Sequence, residues 1–161
     1  MAGVRGFVTS GPSVTGSGTL VKTLLLLTAA SNRRVHVHNI RVSYKGVTTS
    51  HLPHEVRAVR CTDGGTPEDA ALTVAKLNAG DSESFGLTAY GKAASGAWTD
   101  EPVVTAGTIM WNDYVWPAAG FAEFTSSGIG PLVIRGGEIF AIQVVNPTDS
   151  NTLIATAAIE E

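Results

Sequence analysis

Residues 35–44 read Val-His-Val-His-Asn-Ile-Arg-Val-Ser-Tyr, a ten-residue stretch rich in β-branched side chains and without helical periodicity. Strict alternation puts Val35, Val37, Asn39 and Arg41 on one face and His36, His38, Ile40, Val42 and Tyr44 on the other. Neither face is wholly polar. The mixture recurs in EVRAVRCT, residues 55–62, where Val56, Ala58 and Arg60 oppose Arg57, Val59 and Cys61. Strands that are apolar on both faces are covered on both, and the expected cover on the outer side is a partner subunit.

Outward from this segment, short apolar runs separated by turn residues continue in both directions. Strands are expected at 20–29, 35–44, 55–62, 84–90, 103–116, 121–126, 131–135, 138–146 and 152–159. The breaks fall where Gly, Asn, Asp and Pro cluster, as in SNRR, CTDGG, NAGD, SSGIG and NPTDSN. Only PEDAALTVAKLN, residues 67–78, opens like a helix, with Pro67 ahead of two acids. Its β-branched Thr73 and Val74 limit that to a short helical turn leading into a strand. Residues 1–19 are rich in Gly, Ser, Thr and Pro with isolated Val4, Phe7, Val8 and Val14. They read as an N-terminal arm docking Phe7 and Val8 on a neighbour, or as a first short strand of the same domain. The fold class is all-β: one antiparallel β-sandwich domain over residues 20–161, with 1–19 as the arm.

Length and composition agree with one domain. The chain has 161 residues, 43% hydrophobic and only 16% charged, which fits neither a disordered chain nor a coiled coil. The longest apolar run, Leu24–Leu27, is far shorter than the ~20 residues that span a bilayer, so no membrane partner is expected. The single cysteine, Cys61, has no internal partner, and no apolar leader with a cleavage site precedes the domain, so folding in a reducing cytoplasm is expected.

The search for chemistry returns no enzyme. His36 and His38, two residues apart on a strand, resemble the opening of a cupin metal motif. Val42 and Ser43 stand where the glutamate belongs, and all four histidines fall between 36 and 54. No metal or other cofactor is therefore expected. His51 and His54 flank Leu52-Pro53 in an expected loop, where imidazoles can act as a pH-sensitive contact. Cys61 has no Cys-His-Asn signature, no GxSxG elbow occurs, and GSGTLVKT lacks the Gly-Lys pair of a phosphate loop. The paired carboxylates Glu68-Asp69 and Asp100-Glu101 read as solvated loop charges.

The tryptophans carry more information. Trp98 lies in a Gly/Ala/Ser-rich loop, whereas Trp111 and Trp116 sit in TIMWNDYVWP, aromatic on both strand faces. One face serves the core. The other, with Trp111 or Trp116, is expected at a subunit interface, the competing use being a sugar ring.

Formal net charge is −3, but it is unevenly laid out. Residues 1–60 carry eight bases against Glu55 alone, +7, and residues 61–161 carry three bases against thirteen acids, −10. Such a split either interleaves within one sheet or makes a dipolar subunit that assembles head to tail; assembly is the preferred reading. Direct nucleic-acid binding is not expected of so acidic a chain without basic residues interleaved with exposed aromatics.

The run TLLLLTAASNRRVHVHNIRVSYKGV (23–47), then EVRAVRCTDGGT (55–66), Trp116-Pro117, VIRGGEIFAIQVVNP (133–147) and the acidic finish AAIEE (157–161) together resemble a group of small tailed-phage virion proteins. The resemblance implies a single jelly roll acting as a head decoration, or cement, subunit. Such a protein is a homotrimer bound to the major capsid protein on the capsid exterior, and it has no catalytic residues. On this reading Phe7, Val8, Arg33, Arg34, Trp111 and Trp116 are the partner contacts. The His-rich second strand and the Trp98 loop depart from the pattern and leave a fibre or receptor-contact role, with Trp98 binding host-surface carbohydrate, as the alternative.

Overall fold

A computed structural model describes residues 3–10, 13–15, 21–44, 53–67, 70–81, 83–91, 98, 100–116, 120–145 and 151–161. Among them the chain forms twelve strands and no helix: β1 (Arg5–Thr9), β2 (Ser13–Thr15), β3 (Lys22–Thr28), β4 (Val35–Tyr44), β5 (His54–Asp63), β6 (Ala75–Lys76), β7 (Thr88–Gly91), β8 (Val103–Val115), β9 (Phe121–Thr125), β10 (Leu132–Ile134), β11 (Ile139–Val145) and β12 (Asn151–Glu160). Two antiparallel sheets pack face to face as a sandwich. The five-stranded sheet runs β7-β3-β11-β5-β8, and the seven-stranded sheet runs β10-β4-β12-β1-β6, with β9 also on β4 and β2 also on β12.

The mixed faces of residues 35–44 have a local cause. Asn39 lies opposite Ala158 and Val37 opposite Ile159, so His38 is an extra residue with no partner on β12. This β-bulge resets the alternation. Val35 and Val37 before it, and Ile40 and Val42 after it, all point between the sheets with 0% exposure. The leucine run of β3 uses the same device. Leu25 pairs with Ile142 and Thr23 with Gln143, which leaves Leu24 as the extra residue. Leu24, Leu25 and Leu27 therefore enter the main core, with Phe140, Ile142, Val144, Val56 and Ala58 across the same sheet. Each such side chain contributes roughly 1.5–3 kcal/mol through burial.

The outer face of the five-stranded sheet carries a second, smaller core of Leu26, Val59, Cys61, Ala141 and Trp98, flanked by Tyr90, Val104 and Ile139. Beside it a polar network crosses three strands. Arg57 Nε and Nη2 donate to Gln143 Oε1 at 3.2 and 3.1 Å, and Gln143 Nε2 donates to Thr23 Oγ1 at 3.2 Å. Trp98 Nε1 donates to the Thr23 carbonyl at 3.1 Å, and the Thr23 amide donates to Glu101 Oε2 at 2.8 Å. The apolar outer residues of β5 are thus covered by the chain's own Trp98 and Val104, and a partner subunit is not needed to explain them. Burial pushes the Cys61 thiol up to about 11, against a smaller opposing effect of Arg57.

Two local expectations are corrected. Of the helical turn leading into a strand expected over 67–78, the strand is present, Ala75 and Lys76 pairing with β1 and Leu72 bridging to Ala89; residues 70–78 hold no helical turn, and Glu68 and Asp69 at its opening lie outside the described residues. Thr73 and Val74 sit better on an extended backbone, and the neighbouring strands supply the ladder partners. Residues 84–87 likewise precede β7 without being strand. Of the two readings left open for residues 1–19, the described portion forms strands, with β1 between β12 and β6 and β2 on β12. Val4, Gly6 and Val8 alternate inward. A side chain at Gly6 would meet the Phe85 ring at 2.8 Å, so this strand carries glycine where Phe85 packs.

Candidate functional site

Strand β8 is the outer edge of the five-stranded sheet, thirteen residues long and, among the described residues, paired only with β5. Its register slips where Ala58 faces Trp111 and Val59 faces Ile109, leaving Met110 as an extra residue. Below the slip Trp111 and Val115 turn to the main core, and the Trp111 ring meets Phe124 edge-on with centroids 6.3 Å apart. Tyr114, beside Glu55, and Trp116 then project to the other side, where they are 51% and 57% exposed. Val103 and Ile109 are exposed on the same strand. Among the described residues no strand covers the outer side of this edge, and four large apolar side chains, three on β8 and Trp116 just past it, stand in solvent.

The bulge creates a second feature on the open face of the seven-stranded sheet. A cleft of ≈ 210 Å³ is lined by Arg5, His38, Leu77, Ala158 and Ile159. Arg5 Nε donates to Glu160 Oε2 at 3.0 Å, and His38 Nε2 lies 3.2 Å from the same oxygen, without the alignment of a hydrogen bond. His38 Nδ1 is 3.4 Å from Ser126 Oγ. The order serine, histidine, glutamate is that of a hydrolytic triad. Here Ser126 is not among the residues lining the cleft, and Glu160 is shared with Arg5. His36 and His38 rings meet edge-on at 6.3 Å, and no set of three metal-ligating side chains occurs among the described residues. No described helix is long and apolar enough to cross a membrane.

The expected contact residues separate. Phe7 is exposed on β1, but Val8 is 1% exposed in the main core and has no surface to offer a partner. Arg33 Nη1 sits 3.5 Å from Glu161 and donates to the Ser84 carbonyl at 3.2 Å, whereas Arg34 is exposed. Trp111 belongs with the core through Phe124, and Trp116 alone of the expected pair is presented. Trp98, expected in an open loop, is 6% exposed with its N–H occupied, which removes the sugar-stacking face assigned to it. His54 is not a loop residue: it lies buried in β5, where its Nδ1 is hydrogen-bonded to Tyr44 Oη. His51, Glu68, Asp69 and Pro117 lie outside the described residues.

Much of the charge asymmetry along the chain is absorbed by folding. Arg5–Glu160, Lys22–Glu101, Arg33–Glu161 and Arg60–Glu138 each join a base from the first sixty residues to an acid beyond residue 100, at 3.0–3.7 Å. Arg41 instead lies 4.0 Å over the Phe121 ring. The His38 cleft was not expected from the sequence, although the break in alternation at residues 37–40 marks its position. No family model, curated protein or solved structure matches this chain.

Proposed function

We propose that this protein is a structural virion subunit: a capsid decoration, or cement, protein that assembles as a homotrimer and binds the major capsid protein on the outside of a bacteriophage head. The observation that carries the reading is β8, a long edge strand with no described partner on its outer side, which with Trp116 just past its end holds Val103, Ile109, Tyr114 and Trp116 in solvent. A surface of that kind suits a protein whose working state is an assembly. The finer architecture we assign is a jelly roll. Its support is the pairing of β3 with β11 at the centre of one sheet and β4 with β12 at the centre of the other, which brings early and late strands together.

The stabilising mechanism is distributed binding. Contacts spread over several capsid subunits raise the free energy of opening any one lattice contact, because the others must open with it. The open face of the seven-stranded sheet, with Phe7 and Phe121 exposed, is the side we assign to the lattice. No cofactor, nucleic acid or membrane takes part. The test is light scattering on the purified chain together with co-sedimentation with heads of a phage carrying this sequence. An oligomer that pellets with heads is expected; a monomer at micromolar concentration that stays in the supernatant overturns the proposal.

A further inference from the structure

Among the described residues the two ends of the sandwich are chemically unlike. At one end the turn after β3 and the turn after β10 lie together, the Gly137 amide donating to the Ala29 carbonyl at 3.0 Å. Of the bases gathered there, Arg33 is paired with Glu161 and Arg60 with Glu138. Arg34 and Arg135 are exposed, and neither side chain has an ion pair or hydrogen bond among the described residues. At the far end Glu55 stands opposite Tyr114 and beside Val145, with Trp116 two residues beyond on the same face. The Glu55 carboxylate has no basic partner among the described residues.

We infer that the Arg34–Arg135 end of one copy docks on the Glu55–Tyr114–Trp116 corner of the next, so that copies of this chain associate head to tail. The inference deepens the self-association in the proposed function and rests on that reading. A guanidinium is suited to this corner twice over, since it pairs with carboxylate and stacks on aromatic faces. The two patches lie at opposite ends of β11 and its neighbours, so one copy cannot satisfy both. A two-fold arrangement through either patch would set carboxylate against carboxylate or guanidinium against guanidinium, which costs association. A head-to-tail contact satisfies both, and it closes into a ring when the rotation per copy divides the circle.

Charge exchange tests the contact in the isolated full chain by sedimentation velocity. Arg34→Glu and Glu55→Arg are each expected to weaken association at least about ten-fold, and the double variant Arg34→Glu/Glu55→Arg to recover most of that loss. Arg34 is exposed and Glu55 half-buried, and a circular-dichroism spectrum matching the wild type's shows that each single variant has folded. A monomeric wild type, single variants that associate normally, or a double variant that fails to recover each overturns the inference. Co-sedimentation of the same proteins with heads separates the two readings: a wild-type monomer that still binds heads overturns only this contact, and an oligomer that ignores them overturns only the capsid assignment.

Discussion

His38 Nε2 lies 3.2 Å from Glu160 Oε2 at the position where β4 and β12 slip by one residue. The contact is half-exposed and contributes little by itself, but the slip it decorates decides which way four core residues face. Val35 and Val37 precede it, Ile40 and Val42 follow it, and all four are inside only because one residue is unpaired.

Deleting His38 removes the extra residue, and simple alternation then places Val35, Val37, Ile40 and Val42 on one face, so the variant keeps all four inside without a bulge. Were the strand regular, the same deletion would turn two of them outward, a loss on the order of 3–6 kcal/mol, comparable with the whole stability of a domain. His38→Ala keeps the residue count and loses only the contacts of the ring with Glu160 and Ser126, at a cost of up to about 1 kcal/mol. Urea unfolding is expected to show both variants folded; an unfolded deletion variant beside a near-native His38→Ala would contradict the bulge account.

Trp98 and Trp116 occupy opposite environments and should respond oppositely. Trp98→Ala removes the lid of the second core and the donor to the Thr23 carbonyl, for an expected loss of about 3–5 kcal/mol. Trp116→Ala on the isolated subunit should change stability by less than about 0.5 kcal/mol. Denaturant midpoints at low protein concentration measure both.

Gln143 joins Arg57 to Thr23 and is fully buried. Gln143→Leu leaves a guanidinium and a hydroxyl without their partner and should cost about 1–3 kcal/mol. Adding Arg57→Met removes the stranded charge, so the double variant should be more stable than the sum of the singles. A thermodynamic cycle from urea melts reads that coupling, and strict additivity would show the network to be inert.

Cys61 is held as the neutral thiol. A rise from 9.0 to about 11 lowers the thiolate fraction about 100-fold below pH 9, so iodoacetamide should label native protein far more slowly than urea-unfolded protein. The linkage has the sign of a group whose neutral form the fold favours. Its contribution is complete below pH 9 and is lost as pH rises towards about 11, so stability falls across that range. Mass spectrometry of labelled protein and unfolding curves at rising pH check the two statements.

Strand positions were legible because they depend on local punctuation. The stretches at 35–44, 103–116 and 121–126 match β4, β8 and β9 within a residue or so, bounded by the Gly, Asn, Asp and Pro clusters that cannot continue a ladder. The contact residues were less legible. Phe7 and Val8 are adjacent and equally apolar, yet one is exposed and the other is core, because Val8 faces the space between the sheets. Trp98 looked like a loop aromatic since nothing in its neighbourhood reveals that Thr23, seventy-five residues away, offers its carbonyl to the indole.

By itself the sequence determined an all-β chain and the approximate places of its longer strands, since alternation, β-branching and turn residues act over a few residues. The tertiary structure decided which way those strands face. The unpaired residues Leu24, His38 and Met110 each reverse the phase of a strand, and a residue is unpaired only relative to a neighbour in the sheet. For His38 that neighbour is more than a hundred residues further along, at Ala158 and Ile159, where backbone pairing and core burial fix the register together.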